Sequence, residues 1–419
     1  MSLLSGSIST RRYRVLSMPP TDWREIYEKA VRAHALVPID PESGSGTEKS
    51  IGWCSIFDEQ DLDLSFSKFH LDGYILLSLR IDTLKPPRDE VRRLLKQRQR
   101  EIEASRKEPL SASTLRELKD MIVIDLRRRT PPKTKTVDVL WNIDAQTLLF
   151  MSHSKAMNEA FLRLFAETFN LGLDIEGPGF WARSIAEDLG STKQLSRTRP
   201  TIELLGGFVG LRPCPRMDGA SMVFQPTEDT DREDAAKDAS FKAELDDRRF
   251  LGREFLTWLI FKARSESEAE SIFLGGGDVD AFRVAIGERV TLKALGEGTG
   301  EIVARGAAPA QTADVRYAIA GGLTVREVEV LIEQNDRLWM ASVSAEGFDM
   351  RRVKLPSLLS EEDTERLHER IELLGEVDKM LKAAFADFMK LRLSTGWTQD
   401  ELPKMREWLK ESINVEDRP

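Results

Sequence analysis

The run His70-Leu71-Asp72-Gly73-Tyr74-Ile75-Leu76-Leu77-Ser78-Leu79-Arg80-Ile81 holds the turn around which the N-terminal half is organised. Asp-Gly tolerates positive φ, so Leu71-Asp72-Gly73 predicts a tight turn between one strand over Phe66–His70 and a second over Tyr74–Ile81. Upstream, Ile51-Gly52-Trp53 opens a short strand, and Pro41–Gly46 is a loop by composition. Thr21 can cap a helix whose apolar face is Trp23, Ile26, Tyr27, Ala30, Val31 and His34. Ser7–Leu16 reads as a strand ended by Pro19-Pro20.

Downstream of the hairpin come two helices. The first starts at Pro87 or Arg88 and runs to about Arg106, with Val91, Leu94, Leu95 and Ile102 as a thin apolar stripe. The second covers Ser111–Leu126, with Ser111 and Thr114 as cap candidates. Prolines 131 and 132 argue for a loop over Arg127–Lys135. Val137–Ile143 and Thr147–Met151 form another expected hairpin, turned at Asp144-Ala145. Ser154–Phe169 is an amphipathic helix carrying Met157, Phe161, Leu164, Phe165 and Thr168 on one face.

The second half changes character. Pro226–Asp247 is acidic and poor in large apolar residues, which suggests an exposed insertion. Phe250–Phe261 is apolar around most of its circumference, so a buried core helix is preferred to a partner surface anchored by Trp258. Ala281–Lys354 alternates between glycine-rich turns and reads as strands, which Leu355-Pro356 ends. Ser360–Leu393 is one long or two shorter helices facing inward through Leu367, Ile371, Leu374, Val377, Met380, Leu381, Phe385 and Phe388, and a last short helix ends near Leu409. The fold class is α+β, with antiparallel sheets and long amphipathic helices. A chain of 419 residues implies two or three domains.

No apolar run approaches the ~18–20 residues that span a bilayer. The N-terminal residues reach Arg11 and Arg12 without a signal-peptide core, so a cytoplasmic location is expected. The two cysteines, Cys54 and Cys214, are far apart in sequence and fit a reducing compartment as small core residues. A formal net charge of −9 argues against a polycation that coats nucleic acid, but the local field at a contact surface matters more than the total.

That local field is uneven. Lys85–Lys107 holds nine Lys or Arg against four acids, and Arg127–Lys135 holds five bases and no acid. Arg92, Lys96, Gln99 and Arg100 recur at three- and four-residue steps, which places them along one side of a helix. Such a side can track phosphates and would make binding salt-dependent. An isolated charge run is more often a solvated face. The acid-free second stretch is what tips the reading toward contact with a polyanion. On charge alone the candidate DNA contacts are Arg92, Arg93, Lys96, Arg100, Arg127, Arg128, Arg129, Lys133 and Lys135.

Other constellations carry less. Gly275–Asp278 and Gly296–Gly300 lack a Gly-Lys-Ser/Thr ending and read as hairpin turns. His34, His70, His153 and His368 are scattered, with no metal-ligand spacing, so no metal and no cofactor are expected. Asp138 and Asp144 hint at a Mg²⁺-dependent nuclease, but strand-edge solubility and turn chemistry explain them more simply. Ser152-His153-Ser154 reads as a strand end plus N-cap, and no Gly-x-Ser-x-Gly elbow accompanies it. Catalysis is not expected.

The order of motifs adds a resemblance. Gly52-Trp53, Leu77-Ser78-Leu79-Arg80, the charged helix pair, Val139-Leu140-Trp141, Leu148-Leu149-Phe150 and the Ser154-Lys155-Ala156 helix start follow one another. Later come Phe255-Leu256-Thr257-Trp258-Leu259, Gly322-Leu323-Thr324-Val325 and Val353-Lys354-Leu355. From about Ser7 to Leu393 this series resembles the recombination-associated RdgC family. The resemblance implies a horseshoe-like, multi-domain subunit that pairs into a homodimeric ring with a basic lining. It also implies sequence-independent binding of single- and double-stranded DNA in the nucleoid, and restraint of a RecA-type recombinase.

In that layout, residues 1–86 and 137–225 are two parts of a central domain, and 87–136 is a helical arm with a basic tip loop. Residues 226–248 are the acidic insertion, 249–355 a base domain of aromatic helix and strands, and 356–419 the C-terminal helices. The competing readings are a protein-interaction regulator of a recombinase with incidental DNA binding, and a metal-dependent nuclease.

Overall fold

The computed structural model describes residues 3–40, 48–106, 108–201, 248–263, 271–276, 279–294 and 300–411. In chain order its elements are β1 (Ile8–Val15), α1 (Trp23–Ala33), β2 (Lys49–Cys54), α2 (Phe66–Phe69), β3 (His70–Leu71), β4 (Tyr74–Thr83), α3 (Arg88–Arg106) and α4 (Ala112–Arg129). Then come β5 (Lys133–Asn142), β6 (Thr147–Phe150), α5 (Lys155–Phe169), β7 (Leu173–Ile175), α6 (Pro178–Asp188), α7 (Thr192–Arg197), α8 (Phe250–Lys262), β8 (Ser271–Gly276), β9 (Val279–Lys293) and β10 (Glu301–Arg305). The chain closes with α9 (Ala313–Ala320), β11 (Thr324–Gln334), β12 (Arg337–Ser344), β13 (Met350–Lys354), α10 (Asp363–Arg392), a π-helical turn (Trp397–Glu401) and α11 (Leu402–Glu411). The protein is α+β, with antiparallel pairing among β2–β6 and among β8–β13 and β1.

Two compact units divide these elements: Val15–Phe150 with Ser154–Leu173, and Met1–Arg14 with Met151–His153 and Asp174–Pro419. In the first unit the strand order is β6-β5-β4-β2, with β3 folded back onto β4. Asp72 and Gly73 both adopt positive φ, at 43° and 83°, which is what a two-residue turn of matching twist requires. One face of this sheet carries Trp53 and Trp141 against α1 and α5. Tyr27 meets Trp141 at 5.7 Å between ring centroids, Phe169 meets Tyr27 at 5.0 Å, and Phe150 stacks on Phe161 at 4.3 Å. Trp53 Nε1 donates to Thr168 Oγ1 at 2.8 Å, so the buried indole keeps its polar partner. Gly52 is required where the chain crosses β2, because a Cβ there would meet the backbone of Leu36.

The second unit orders its strands β10-β9-β11-β12-β13-β1, with β8 also on β9. Beside β1, Glu176 N–H donates to the Arg12 carbonyl at 3.2 Å. Every residue of α8 from Phe250 to Phe261 is buried, as an all-round apolar helix demands. Its Phe255 packs edge-on against Phe348 and Phe385, and Trp258 lies against Phe388. The same core buries charge. Glu254 accepts from Arg392 Nε at 2.7 Å and from Thr201 Oγ1 at 2.8 Å, while Glu401 accepts from Trp258 Nε1 at 2.9 Å and pairs with Lys262 at 2.7 Å.

Several expectations need correction. Phe66–Phe69 is a helical turn, not a strand, because the three- and four-residue steps from Phe66 bring Phe69 and His70 onto one side. There Phe66 and His70 gather against Trp23 at 5.6 Å each. The N-cap of α1 is Asp22 rather than Thr21. The strand-rich stretch Ala281–Lys354 is interrupted by α9, where Thr312 Oγ1 accepts from Val315 N–H and Val315, Ala318 and Ile319 recur at helical spacing. Asp138 is no solubility device. It is buried in the middle of β5 and accepts a 2.6 Å hydrogen bond from Ser78 Oγ on β4.

Arg127–Lys135 is the largest departure. Arg127, Arg128 and Arg129 form the last turn of α4, and Lys133 and Lys135 already belong to β5. Proline restricts only the residue immediately before it, here Thr130, so the helix continues through the arginines. The acidic Pro226–Asp247 stretch, Cys214, Gly277-Asp278 and Gly296–Gly298 lie outside the described residues. No helix among those described is long and apolar enough to cross a membrane.

Candidate nucleic-acid interface

α3 and α4 form a helical hairpin inserted between β4 and β5, and they pack on each other. On α3, successive residues turn by about 100°. Arg93, Lys96 and Arg100 therefore fall within a wedge of about 60°, and Val91, Leu95 and Ile102 sit on the opposite side. The exposure follows this geometry: Arg93, Lys96 and Arg100 are exposed, Val91, Leu94, Leu95 and Ile102 are half-buried, and Leu118 and Ile122 of α4 are buried. Arg92 lies about 100° from Arg93 and is exposed as well.

Local carboxylates engage some of these cations. Arg93 pairs with Glu90 at 2.6 Å, Arg92 with Asp89 at 3.8 Å, and Arg98 with Glu101 at 3.6 Å. All are exposed three-residue pairs, of the kind worth at most about 1 kcal/mol and readily exchanged for another anion. Lys96 and Arg100 have no carboxylate in ion-pair reach among the described residues. With Arg93, Gln97 and Glu101 they line a shallow open groove along the helix.

The second basic group stands at the root of the hairpin. Thr83 is directly opposite Lys133, so the segment that leads into α3, with exposed Lys85 and Arg88, starts beside the strand that leaves α4. Lys133 and Lys135 alternate on β5 with Thr134, whose hydroxyl donates to Asp82 at 2.9 Å. Asp82 in turn accepts two 2.9 Å hydrogen bonds from Arg80. Arg127 is drawn into an ion pair with Glu48, and Arg129 pairs with Asp125 at 2.9 Å. Three arginines in the last turn also suit the negative end of the helix dipole. Arg128, Lys133 and Lys135 remain exposed without a carboxylate in reach among the described residues.

The nine candidates therefore fall into two groups, four along α3 and five at the root of the hairpin. Lys85 and Arg88 were not singled out in the sequence. The signal that finds them is strand register, since a long β4–β5 pairing brings the two ends of the insertion together. Lys85–Lys135 as a whole carries sixteen Lys or Arg against eight Asp or Glu, in a chain of net charge −9. Among the described residues no group of three or more His, Cys, Asp or Glu is placed to hold a metal ion.

These features define a class: an α+β protein whose antiparallel sheet carries an inserted helical hairpin with a cationic outer face. Residues 17–176 match the family described as "RdgC: Putative exonuclease, RdgC", a segment that takes in nearly all of the hairpin-bearing unit and less than half of the chain. Over that segment the chain is similar to the RdgC family, and the match supports the resemblance read from the sequence. No curated protein matches it.

Proposed function

We propose that this chain is a sequence-independent DNA-binding protein of the nucleoid that modulates recombination without catalysis. The observation that carries the reading is the cationic wedge Arg93, Lys96 and Arg100, set opposite the apolar seam of α3 and aimed away from the helix that packs on it. A straight helix of 19 residues is ~28 Å long, enough to follow several phosphates on one strand. Phosphate contact supplies affinity without reading bases, so binding extends to any sequence.

The match of residues 17–176 to that family supports the wider reading. Two horseshoe-like subunits would pair into a ring or clamp that keeps its cations on the lining. A net acidic chain could then enclose DNA and restrain a RecA-type recombinase acting on it.

The test is fluorescence anisotropy with random-sequence duplex over a series of salt concentrations. Affinity should fall linearly on a double-logarithmic plot, with a slope near −0.9 for each phosphate neutralised. An affinity indifferent to salt would remove this reading. Labelled products from a clean preparation with Mg²⁺ or Mn²⁺ would replace it with the nuclease.

A further inference from the structure

In the unit that contains β8–β13, one row of side chains crosses four strands. Phe273 on β8 stands opposite Arg283 on β9, Arg283 opposite Glu333 on β11, and Glu333 opposite Leu338 on β12. Directly opposed residues project from the same face of a sheet. This is the face away from the core, because the adjoining Leu274, Phe282, Val284, Ile332 and Trp339 are all buried. Phe273 is 72% exposed and Leu338 is 53% exposed.

The exposed ring is held in place. Gly275 N–H donates to Asp387 of α10 at 2.9 Å, and Leu274 anchors β8 to the core. The Arg283 guanidinium lies 6.0 Å from the Phe273 ring centroid and pairs with Glu333 at 2.6 Å on its other side. Farther along the same face, Arg289 and Arg305 are directly opposed on β9 and β10. Both point away from the core, since their neighbour Val290 is buried. Like charges so placed repel. Among the described residues neither arginine has a carboxylate in ion-pair reach, and Arg289 Nε is enclosed without a hydrogen-bond partner.

A rigid, solvent-facing aromatic ring beside a cation, with two arginines on the same sheet face that have no ion pair among the described residues, matches the chemistry of an unpaired nucleotide. Base faces stack on aromatic rings irrespective of sequence, and guanidinium groups take the phosphates. We propose that this face is a second nucleic-acid site, selective for single strands, where Phe273 stacks on an unpaired base and Arg289 and Arg305 meet the backbone. A duplex keeps its bases stacked internally and uses only the cations of the α3–α4 hairpin. The inference rests on the reading that the chain binds DNA, and it lies outside the segment matched to the family.

The experiment compares oligo(dT), an abasic oligomer of equal length and a random duplex, on the full chain and its Phe273→Ala and Phe273→Trp variants. The wild type should bind oligo(dT) more tightly than the abasic strand. Phe273→Ala should weaken oligo(dT) binding by about 5- to 160-fold, the range for one lost base–aromatic stack. Its abasic and duplex affinities should not change, and Phe273→Trp should restore the preference. Unchanged oligo(dT) affinity in Phe273→Ala, or an equal loss on all three ligands, overturns the stacking site and points to a protein-docking patch instead. A wild type that binds none of the three at low salt removes the DNA reading itself, a different outcome from duplex binding with no response at Phe273.

Discussion

Thr83 and Lys133 stand directly opposite each other on β4 and β5, at the point where the chain leaves the sheet to build α3 and α4 and then returns. The two helices are thus an insertion between paired strands, and the basic stretch once expected at its tip lies at its root. The register keeps Lys133 and Lys135 beside the segment of Lys85 and Arg88, while the α3 wedge extends outward from there.

Replacing Arg93, Lys96 and Arg100 together with Ala should leave the helix intact, since Ala is the best helix former. Duplex affinity should fall uniformly across sequences, and the salt slope should flatten by about 3, one unit for each lost phosphate contact. Anisotropy titrations measure both quantities. A slope equal to that of the wild type places the contact surface elsewhere.

Arg127 and Arg128 should behave differently although they are neighbours. Arg127 is mostly covered and paired with Glu48, whereas Arg128 is exposed. A double-mutant cycle of Arg127→Ala and Glu48→Ala in urea should give a coupling of about 0.2–1 kcal/mol. Arg128→Ala should leave stability unchanged and weaken DNA binding.

Arg392 should be the costliest single arginine to lose. It bonds Glu254 at 2.7 Å and the Arg199 carbonyl at 2.7 Å, and Glu254 is fully buried. Arg392→Met removes this charged partner from the buried carboxylate and should cost about 3–5 kcal/mol in denaturant unfolding. Adding Glu254→Gln should recover part of the loss.

Asp349 sets a pH dependence. Burial works to raise its carboxyl, but His153 and Arg11 outweigh it and hold the group below its ordinary value. Arg11 Nη2 lies 2.8 Å from the carboxylate and His153 Nδ1 lies 3.6 Å away. A depressed carboxyl contributes stability that is complete above its unfolded value near pH 4 and is lost as pH falls through the lower folded value. Unfolding measured from pH 6 down to pH 2 should therefore decline more steeply for the wild type than for Asp349→Asn.

Gly252→Ala inverts the usual helix rule. In an exposed helix the change stabilises by about 1 kcal/mol. Here a Cβ would run into the Ala345 carbonyl oxygen and lie 2.7 Å from Pro178 Cγ. A loss of about 1–3 kcal/mol is expected from overpacking, read by thermal or urea unfolding.

Much of the fold was legible because it rests on short-range rules. The helical spacing of Met157, Phe161, Leu164 and Phe165 and the Asp72-Gly73 turn each act over a few residues, and the structure follows them. The α3 wedge belongs to the same group. Its arginines and lysine share a side because a helix turns by a fixed angle. Errors came where an element is short or its environment distant. The Phe66 turn is shaped by Trp23, and α9 is too brief for its periodicity to stand out among strands.

Sequence by itself determined the long, strongly periodic helices and strands, that the class is α+β, and that positive charge gathers between Lys85 and Lys135. Periodicity and composition act locally, so no contact map was needed for any of these. Only tertiary structure decided that the Arg127–Lys135 cations stand at the root of the hairpin, that Asp138 is buried, and that Phe273, Arg283, Glu333 and Leu338 share one row. Strand register sets those relationships, joining residues far apart in the chain, and it is fixed by packing of the whole sheet.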